Sequence, residues 1–135
     1  MFVTESIVIA ASPPTVWDVA GDPATIAEWS PALDSSRVEG DRRYATFAGG
    51  GGDATERIVE HDDAARSYTY EYLSGPLPLR AYRSTISVND HASGSEVVWT
   101  ADFSADDPTT DSDLATAISD IYQSSLQALK TKVES

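Results

Sequence analysis

Six strand-like segments follow one another along most of this chain, and a single long amphipathic segment succeeds them. The six segments are rich in β-branched and aromatic residues and are separated by short turn-forming stretches, which is typical of antiparallel strands. They cover residues 35–39, 42–48, 54–61, 67–73, 82–88 and 96–103. Over residues 112–133, apolar side chains recur every three or four positions, the spacing of a helix that buries one face.

The residues before these segments predict a further strand and two short helices. An apolar, β-branched stretch covers residues 2–10. Ser12 and Asp22 each precede a proline, which indicates two helix starts; the second helix covers 24–29. One helix cannot cover both faces of a seven-stranded sheet, so we expect the sheet to curl around it. The prediction is an α+β fold in one domain, 1–135, with a curved seven-stranded antiparallel sheet around the long C-terminal helix.

Composition excludes several classes of function. The chain has 22 acidic and 9 basic residues, a formal net charge of −13, and no cysteine. Nucleic acids and anionic membranes require a positive surface, so neither is an expected partner. Without cysteine there is no disulfide, thiolate nucleophile or zinc ribbon. No stretch predicts a signal peptide or a membrane-inserted helix, so the expected location is cytoplasmic. The sequence shows no set of metal ligands, and no cofactor is predicted.

Three local patterns carry a family resemblance. They are IAASPPTVW at 9–17, ERI at 56–58 followed by two aspartates, and SGPLPL at 74–79 followed by Tyr82. Through them, nearly the whole chain resembles the START/Bet v 1-like (SRPBCC) superfamily, in its polyketide cyclase/dehydrase and lipid transport branch. The last pattern is similar to a loop of bacterial relatives of the plant abscisic-acid receptors. The resemblance implies a helix-grip fold whose internal cavity takes a small hydrophobic ligand, such as a lipid, a polyketide or an aromatic molecule.

Strand alternation and the resemblance together select candidate cavity residues. Residues two apart on a strand share a face, and the resemblance implies that Glu56 lies inward at the cavity mouth. The alternative is a solvent-facing glutamate paired with an arginine. Tyr70 and Tyr72 share one face of their strand, either as cavity wall, as the resemblance implies, or as an aromatic ladder on the sheet. The full predicted set is Glu56, Ile58, Tyr70, Tyr72, Leu77, Leu79, Tyr82, Ser84, Trp99, Ile121, Tyr122 and Ser125.

Two members of this set carry a further expectation. Trp99 stands where some receptor relatives have a polar anchor, so the resemblance implies a smaller or more apolar pocket. Ser125 lies on the apolar stripe of the long helix, where a bond to its own helix backbone is the more common arrangement.

Two loops are predicted to gate the cavity. The first consists of Gly49, Gly50, Gly51 and Gly52, half of the eight glycines in the chain. It lacks the Gly-Lys-Ser/Thr ending of a phosphate-binding loop, so a flexible lid or a rigid turn is the better interpretation. The second loop is stiffened by Pro76 and Pro78.

Three hypotheses on function follow. The first is binding or transport of a small hydrophobic molecule. The second is a polyketide cyclase, aromatase or dehydratase in which Glu56 and the cavity tyrosines move protons. The third is an interaction module whose partner docks on Leu77 and Leu79; a homodimer through the loops at the pocket mouth is also considered. An open cavity favours the first two hypotheses, and an exposed apolar patch beside a filled core favours the third.

Overall fold

The computed structural model describes residues 1–135, and all seven strands lie in one antiparallel sheet. The strands are β1 (Phe2–Ile9), β2 (Leu33–Glu39), β3 (Arg42–Phe47), β4 (Asp53–Asp62), β5 (Ser67–Ser74), β6 (Leu79–His91) and β7 (Gly94–Ala105). Their order across the sheet is β1-β7-β6-β5-β4-β3-β2. Two α-helices complete the fold, α1 (Pro13–Ala20) and α2 (Asp111–Glu134). The predicted helix-grip fold is confirmed.

The long helix α2 packs on the sheet with the apolar stripe that the sequence predicted. Thr110 caps its start by accepting a hydrogen bond from the Asp113 backbone N at 3.1 Å. Its buried side chains are Leu114, Ile118, Tyr122, Ser125, Leu126 and Leu129. Contacts with β1 and β7 hold this face against the sheet. One continuous core of 21 buried hydrophobic residues results.

The second of the two predicted short helices is not an α-helix. It is a 3₁₀ helix, Pro23–Glu28, and Asp22 caps it by accepting a hydrogen bond from the Ala24 backbone N at 2.9 Å. Only eight residues separate the capping Asp22 from Pro31, which leaves little chain for α-helical bonding, and the tighter 3₁₀ turn is common in such short pieces.

The hairpin of β6 and β7 is longer than predicted. The sequence placed the strand ends at the last apolar residues, with a turn over 89–94. In the structure Asn89 pairs with Glu96, and His91 pairs with Gly94. Polar residues at an exposed hairpin end can continue the backbone ladder, so apolar alternation underestimates the length. At the other end, β6 begins at Leu79, which therefore belongs to a strand and not to the loop.

Candidate functional site

A cavity lies between the concave face of the sheet and α2. Its volume is about 60 Å³, and 14 of its 17 lining residues are hydrophobic. Strands β2 to β7 and Leu77 contribute one wall, and α2 together with the segment around the 3₁₀ helix contributes the other. The site is therefore an apolar enclosure with a few polar groups, a composition typical of small-molecule sites.

The structure brings most of the predicted residues to this cavity. Those in its lining are Glu56, Tyr70, Tyr72, Leu77, Tyr82, Trp99, Ile121 and Tyr122. The other four predicted residues lie outside it: Ile58, Leu79, Ser84 and Ser125. Whether any of them contacts a ligand stays a prediction.

Each of the four outliers has a physical reason for its place. Ile58 shares a face of β4 with Glu56, since no register shift separates them, but its side chain packs against the hydrophobic core and not along the cavity. Leu79 packs against the core at the start of β6. The Ser125 hydroxyl lies 2.8 Å from the Ser30 hydroxyl, and this buried bond across elements replaces the expected bond to its own helix. The Ser84 hydroxyl is occupied by hydrogen bonds with Thr100, Tyr122 and Trp99.

Arg43 is the most important lining residue that sequence reasoning missed. It shares a face of β3 with Ala45 and Phe47, which also line the cavity. Arg43 is only 1% exposed, and charged residues are rarely buried to this extent without a partner. The sequence signal for its inward position is that Arg43, Ala45 and Phe47 are spaced two apart, so that the arginine shares a face with two apolar residues. The remaining missed residues are Ile26, Ser30, Ala32, Leu33, Ala54 and Ile118.

Glu56 is the partner of Arg43. The two residues are directly opposite each other on β3 and β4, and the Arg43 Nε donates to Glu56 Oε1 at 2.8 Å. Glu56 thus combines the two alternatives left open by the sequence, since it lines the cavity and pairs with an arginine. Burial is the largest single influence and lowers the pKa of the Arg43 guanidinium, but Glu56, Tyr68 and Tyr70 together more than offset it, and the pKa is raised well above its ordinary value.

Two tyrosines pack around the same guanidinium. Arg43 Nη1 donates to the Tyr68 hydroxyl at 3.1 Å, and the guanidinium carbon lies 4.4 Å from the centre of the Tyr70 ring. A cation over an aromatic face is stabilised most when both are shielded from water. Burial raises the pKa of Tyr68 to about 12, against the opposing effect of Arg43, so this hydroxyl is neutral at neutral pH.

Ser84 anchors a chain of buried hydroxyls at the other end of the cavity. Its single proton goes to the Thr100 carbonyl at 2.8 Å. Its oxygen accepts from Trp99 Nε1 at 3.0 Å and contacts the Tyr122 hydroxyl at 2.8 Å. A hydroxyl has one proton to donate, so the Ser84–Tyr122 bond requires Tyr122 to be the donor.

The direction of the remaining bonds follows from this one. Tyr122 has given its proton away, so its oxygen accepts from Tyr82, and the Tyr82 oxygen in turn faces Tyr70 at 3.4 Å. Burial, followed by the neighbouring tyrosines, raises the pKa of Tyr82 well above its ordinary value, and burial also raises the pKa of Tyr122. Both tyrosines are therefore neutral and donate their protons to neighbouring hydroxyls within the protein. Tyr70 is the last hydroxyl of the series.

Trp99 limits the size of the cavity. Its ring stacks on Tyr122 with centroids 4.0 Å apart and planes inclined by 6°. The Trp29 ring lies 5.8 Å from it in a tilted arrangement. A large rigid side chain packed against two aromatic rings agrees with the smaller, more apolar pocket that was expected.

The two predicted gate loops lie next to each other. A Cβ atom placed on Gly52 would be 3.5 Å from Pro76, so the glycine loop and the proline loop are neighbours. The backbone N of Leu77 donates to the Tyr72 hydroxyl at 3.0 Å, which joins the proline loop to the cavity wall. Leu77 and Leu79 are half-buried and do not form an exposed patch; the role of both loops as gates stays a prediction.

We expect the glycine loop to be the most mobile internal segment. Gly49, Gly50 and Gly52 have φ values of +68°, +75° and +97°, and no side chain is present to pack. Backbone ¹⁵N relaxation should give order parameters below about 0.6 here, against about 0.85 in β6. Order parameters equal to those of β6 would show that the loop is a rigid turn.

The structure contains neither a metal cluster nor a membrane-spanning helix. No three His, Asp or Glu side chains come together in a way that could hold a metal ion. No helix combines the length and the hydrophobicity needed to cross a bilayer.

Comparison with known families now identifies the chain at family level. The model of the family described as polyketide cyclase / dehydrase and lipid transport matches residues 2–134. The chain belongs to this family. Among curated proteins, no sequence matches it significantly.

Solved structures share the fold of this chain over nearly its whole length. An uncharacterized protein from Bacillus thuringiensis is 28% identical, with 100% of both chains covered and a TM-score of 0.94. The protein XoxI from Bacillus cereus is 29% identical over 98% of this chain and 94% of its own, with a TM-score of 0.92. Zhui aromatase/cyclase from Streptomyces, 20% identical over 99% and 93% of the two chains, has a TM-score of 0.81, and at this identity the likeness concerns the fold alone.

Proposed function

We propose that this chain binds a small, largely apolar molecule in the cavity between the sheet and α2. The observation that carries the proposal is the lining, which is hydrophobic at 14 of 17 positions yet includes a buried arginine–glutamate pair. Apolar walls supply most of the affinity for such a ligand, and a few fixed polar groups orient it. The family to which the chain belongs covers both lipid transport and cyclase or dehydrase proteins.

The ligand must enlarge the cavity on binding. The cavity volume of about 60 Å³ is well below the roughly 300–1,000 Å³ of sites for drug-sized ligands. Phe47 and Leu77 line the cavity beside the two gate loops. Movement of these two side chains, permitted by the glycine loop, would add volume without disturbing the paired strands.

An enzyme of the cyclase or dehydratase type is the second candidate. Glu56 supports it, since a carboxylate in an apolar cavity is a suitable proton acceptor. Tyr82 and Tyr122 do not, because their protons are engaged in the hydroxyl chain and burial raises both pKa values. Glu56 is thus the first candidate for proton transfer, and turnover that disappears in Glu56→Gln would favour this function.

Binding of toluene, followed by NMR, tests the proposal. Small apolar molecules enter apolar cavities in proteins, so toluene should shift the indole Nε–H resonance of Trp99 in a saturable way. Ala45→Leu fills part of the cavity and should weaken binding about tenfold or more. The matched control is Ala81→Leu, on the exposed side of β6, which should bind as the parent does.

Two outcomes would contradict the proposal. Toluene could leave the Trp99 resonance unchanged at every concentration, or Ala45→Leu could bind as well as the parent. Native mass spectrometry of the purified chain provides an independent measurement, with a co-purified apolar molecule as the expected result.

A further inference from the structure

We infer that the cavity recognises a neutral ligand hydroxyl, through one unused donor on Arg43 and one unused acceptor on Glu56. The inference rests on the proposed function, since it concerns the polar contact that a cavity ligand makes. It adds the chemical class of that ligand: an alcohol or phenol on an apolar body, in preference to a carboxylate or a ketone.

The donor is found by accounting for the hydrogen bonds of Arg43. Its Nε donates to Glu56, and its Nη1 donates to the Pro23 carbonyl at 3.2 Å and to the Tyr68 hydroxyl at 3.1 Å. Nη2 forms no hydrogen bond within the chain. Trp29 Nε1 is the one fully buried side-chain N or O atom without a partner, so Nη2 must touch open space. Arg43 is 1% exposed and lines the cavity, which makes the cavity that space.

The acceptor is found in the same way. Glu56 Oε1 accepts from Arg43 Nε, and Oε2 has no partner within the chain. The Glu56 side chain is 13% exposed and lines the same cavity. An ionised carboxylate has about four lone-pair sites, so most of its capacity to accept is unused. A bidentate arginine–carboxylate pair would occupy both groups, and this single bond leaves them free side by side.

A hydroxyl is the smallest group that satisfies both atoms. Its oxygen accepts from Arg43 Nη2, and its proton goes to Glu56 Oε2. A ketone leaves Glu56 Oε2 desolvated and unpaired, and that loss is larger for a charged group than for a neutral one. A carboxylate is repelled by Glu56 at close range. A carboxamide also donates and accepts, but it brings two polar heavy atoms out of water where a hydroxyl brings one.

The other polar groups of the cavity do not provide an equivalent site. The protons of Tyr82 and Tyr122 are donated within the hydroxyl chain, and that of Ser84 is donated to the Thr100 carbonyl. Tyr70 keeps some freedom, since its contact with Tyr82 is 3.4 Å long, and the Tyr72 hydroxyl accepts from the Leu77 backbone N without donating, but each of these is a single neutral hydroxyl and not a donor and an acceptor that both carry charge. The arginine–glutamate pair is therefore the principal polar recognition element.

A matched set of monocyclic compounds tests the inference on the intact chain: phenol, toluene, acetophenone and benzoate. Affinities come from NMR titration at neutral pH, read at the indole resonance of Trp99 and at the Nε–H resonance of Arg43. Phenol should bind about tenfold or more tighter than toluene and acetophenone, the scale of one charge-assisted hydrogen bond. Benzoate should bind most weakly, and phenol alone should give a large shift at Arg43.

Glu56→Gln should reverse this preference. Arg43 Nε still requires an acceptor, so the new amide turns its oxygen toward the guanidinium and its NH₂ toward the ligand. The cavity then offers only hydrogen-bond donors. Phenol should lose its higher affinity, and the affinity for acetophenone should rise. The control is Glu71→Gln, the same chemical change on β5, where Glu71 pairs at 3.3 Å with Arg57 and Arg83 on the other face of the sheet. That variant should keep the preference of the parent.

The outcomes separate the inference from the proposed function. If phenol and toluene bind equally well and both shift Trp99, the hydroxyl inference is overturned while cavity binding stands. Tighter binding of benzoate than of phenol would also overturn it, because Arg43 would then dominate over Glu56. If no compound shifts Trp99, the proposed function fails as well. The titrations of the parent chain decide these points even if Glu56→Gln proves unstable.

Discussion

Replacing Gly94 with alanine is expected to destabilise the fold by about 3–5 kcal/mol, among the largest effects of a single substitution. Gly94 has a φ of +136° at the start of β7. A Cβ atom there would lie 2.6 Å from the Ile9 carbonyl oxygen and 2.8 Å from the backbone N and O of Ala11. These are backbone atoms, so no side-chain rotation can relieve the contact. Urea unfolding followed by circular dichroism measures the loss.

The backbone around Gly94 has little freedom to move away. The Ala11 backbone N donates to the Ile9 carbonyl at 2.9 Å, and the Ser95 hydroxyl donates to the Ala11 carbonyl at 2.6 Å. The first bond fixes the turn after β1, and the second, with the pairing of Ile9 and Ser95, holds the end of β1 against the start of β7. A shift large enough to admit a methyl group would therefore break paired backbone groups in the interior, which is costly.

Gly40→Ala is the matched control for Gly94→Ala. Gly40 also has a positive φ, +63°, but a Cβ atom there would meet nothing within 4 Å. The substitution carries only the conformational cost of a left-handed residue, about 1–2 kcal/mol. Equal losses in the two variants would show that the close approach at Gly94 has no effect beyond its backbone conformation.

Much of the fold could be predicted because its signals are local. The apolar stripe of α2, with Ile118, Tyr122 and Leu129 on one face, has helical spacing that no strand can satisfy. The segments around Tyr70 and Trp99 alternate with a period of two and are bounded by turn residues. A single helix after seven strands then leaves few arrangements other than a sheet curved around it.

Alternation predicts which face of a strand a residue occupies, but not how far along that face the cavity extends. Tyr70, Tyr72, Tyr82 and Trp99 lie on the inner face of β5, β6 and β7, and all four line the cavity. Ile58 shares the face of Glu56 but packs on the core beyond the cavity, and nothing in its local sequence distinguishes the two positions. The partner of Ser125 is 95 positions away along the chain, so its bond to Ser30 depends on tertiary packing alone.

Arg43 shows the limit of composition-based reasoning most clearly. An arginine is usually assigned to the surface because burial of an unpaired charge is expensive. Its burial becomes acceptable only when β3 and β4 pair in a register that sets Glu56 opposite it. The connection between β3 and β4 contains the glycine loop, and a connection of this length does not by itself fix the register of the two strands.

The second large prediction concerns this buried pair. Arg43→Met should destabilise the fold by about 3–5 kcal/mol, the usual cost of leaving one buried charge without its partner. Methionine follows the shape of the arginine stem but leaves Glu56, Tyr68 and the Pro23 carbonyl without a donor. Urea unfolding of the parent and the variant gives the difference. Arg57→Met is the control: Arg57 pairs with Glu71 on the exposed face, and such pairs contribute at most about 1 kcal/mol.

A double-mutant cycle separates stability from recognition at the same pair. The change Arg43→Met with Glu56→Leu removes both charges, so the double variant should be more stable than Arg43→Met alone, with a coupling of about 1–3 kcal/mol. Buried ion pairs can often be replaced by apolar residues without loss of stability. A double variant that folds as well as the parent but no longer distinguishes phenol from toluene would mean that the pair serves the ligand and not the fold. Strictly additive losses would contradict the energetic link that the 2.8 Å bond between Arg43 and Glu56 implies.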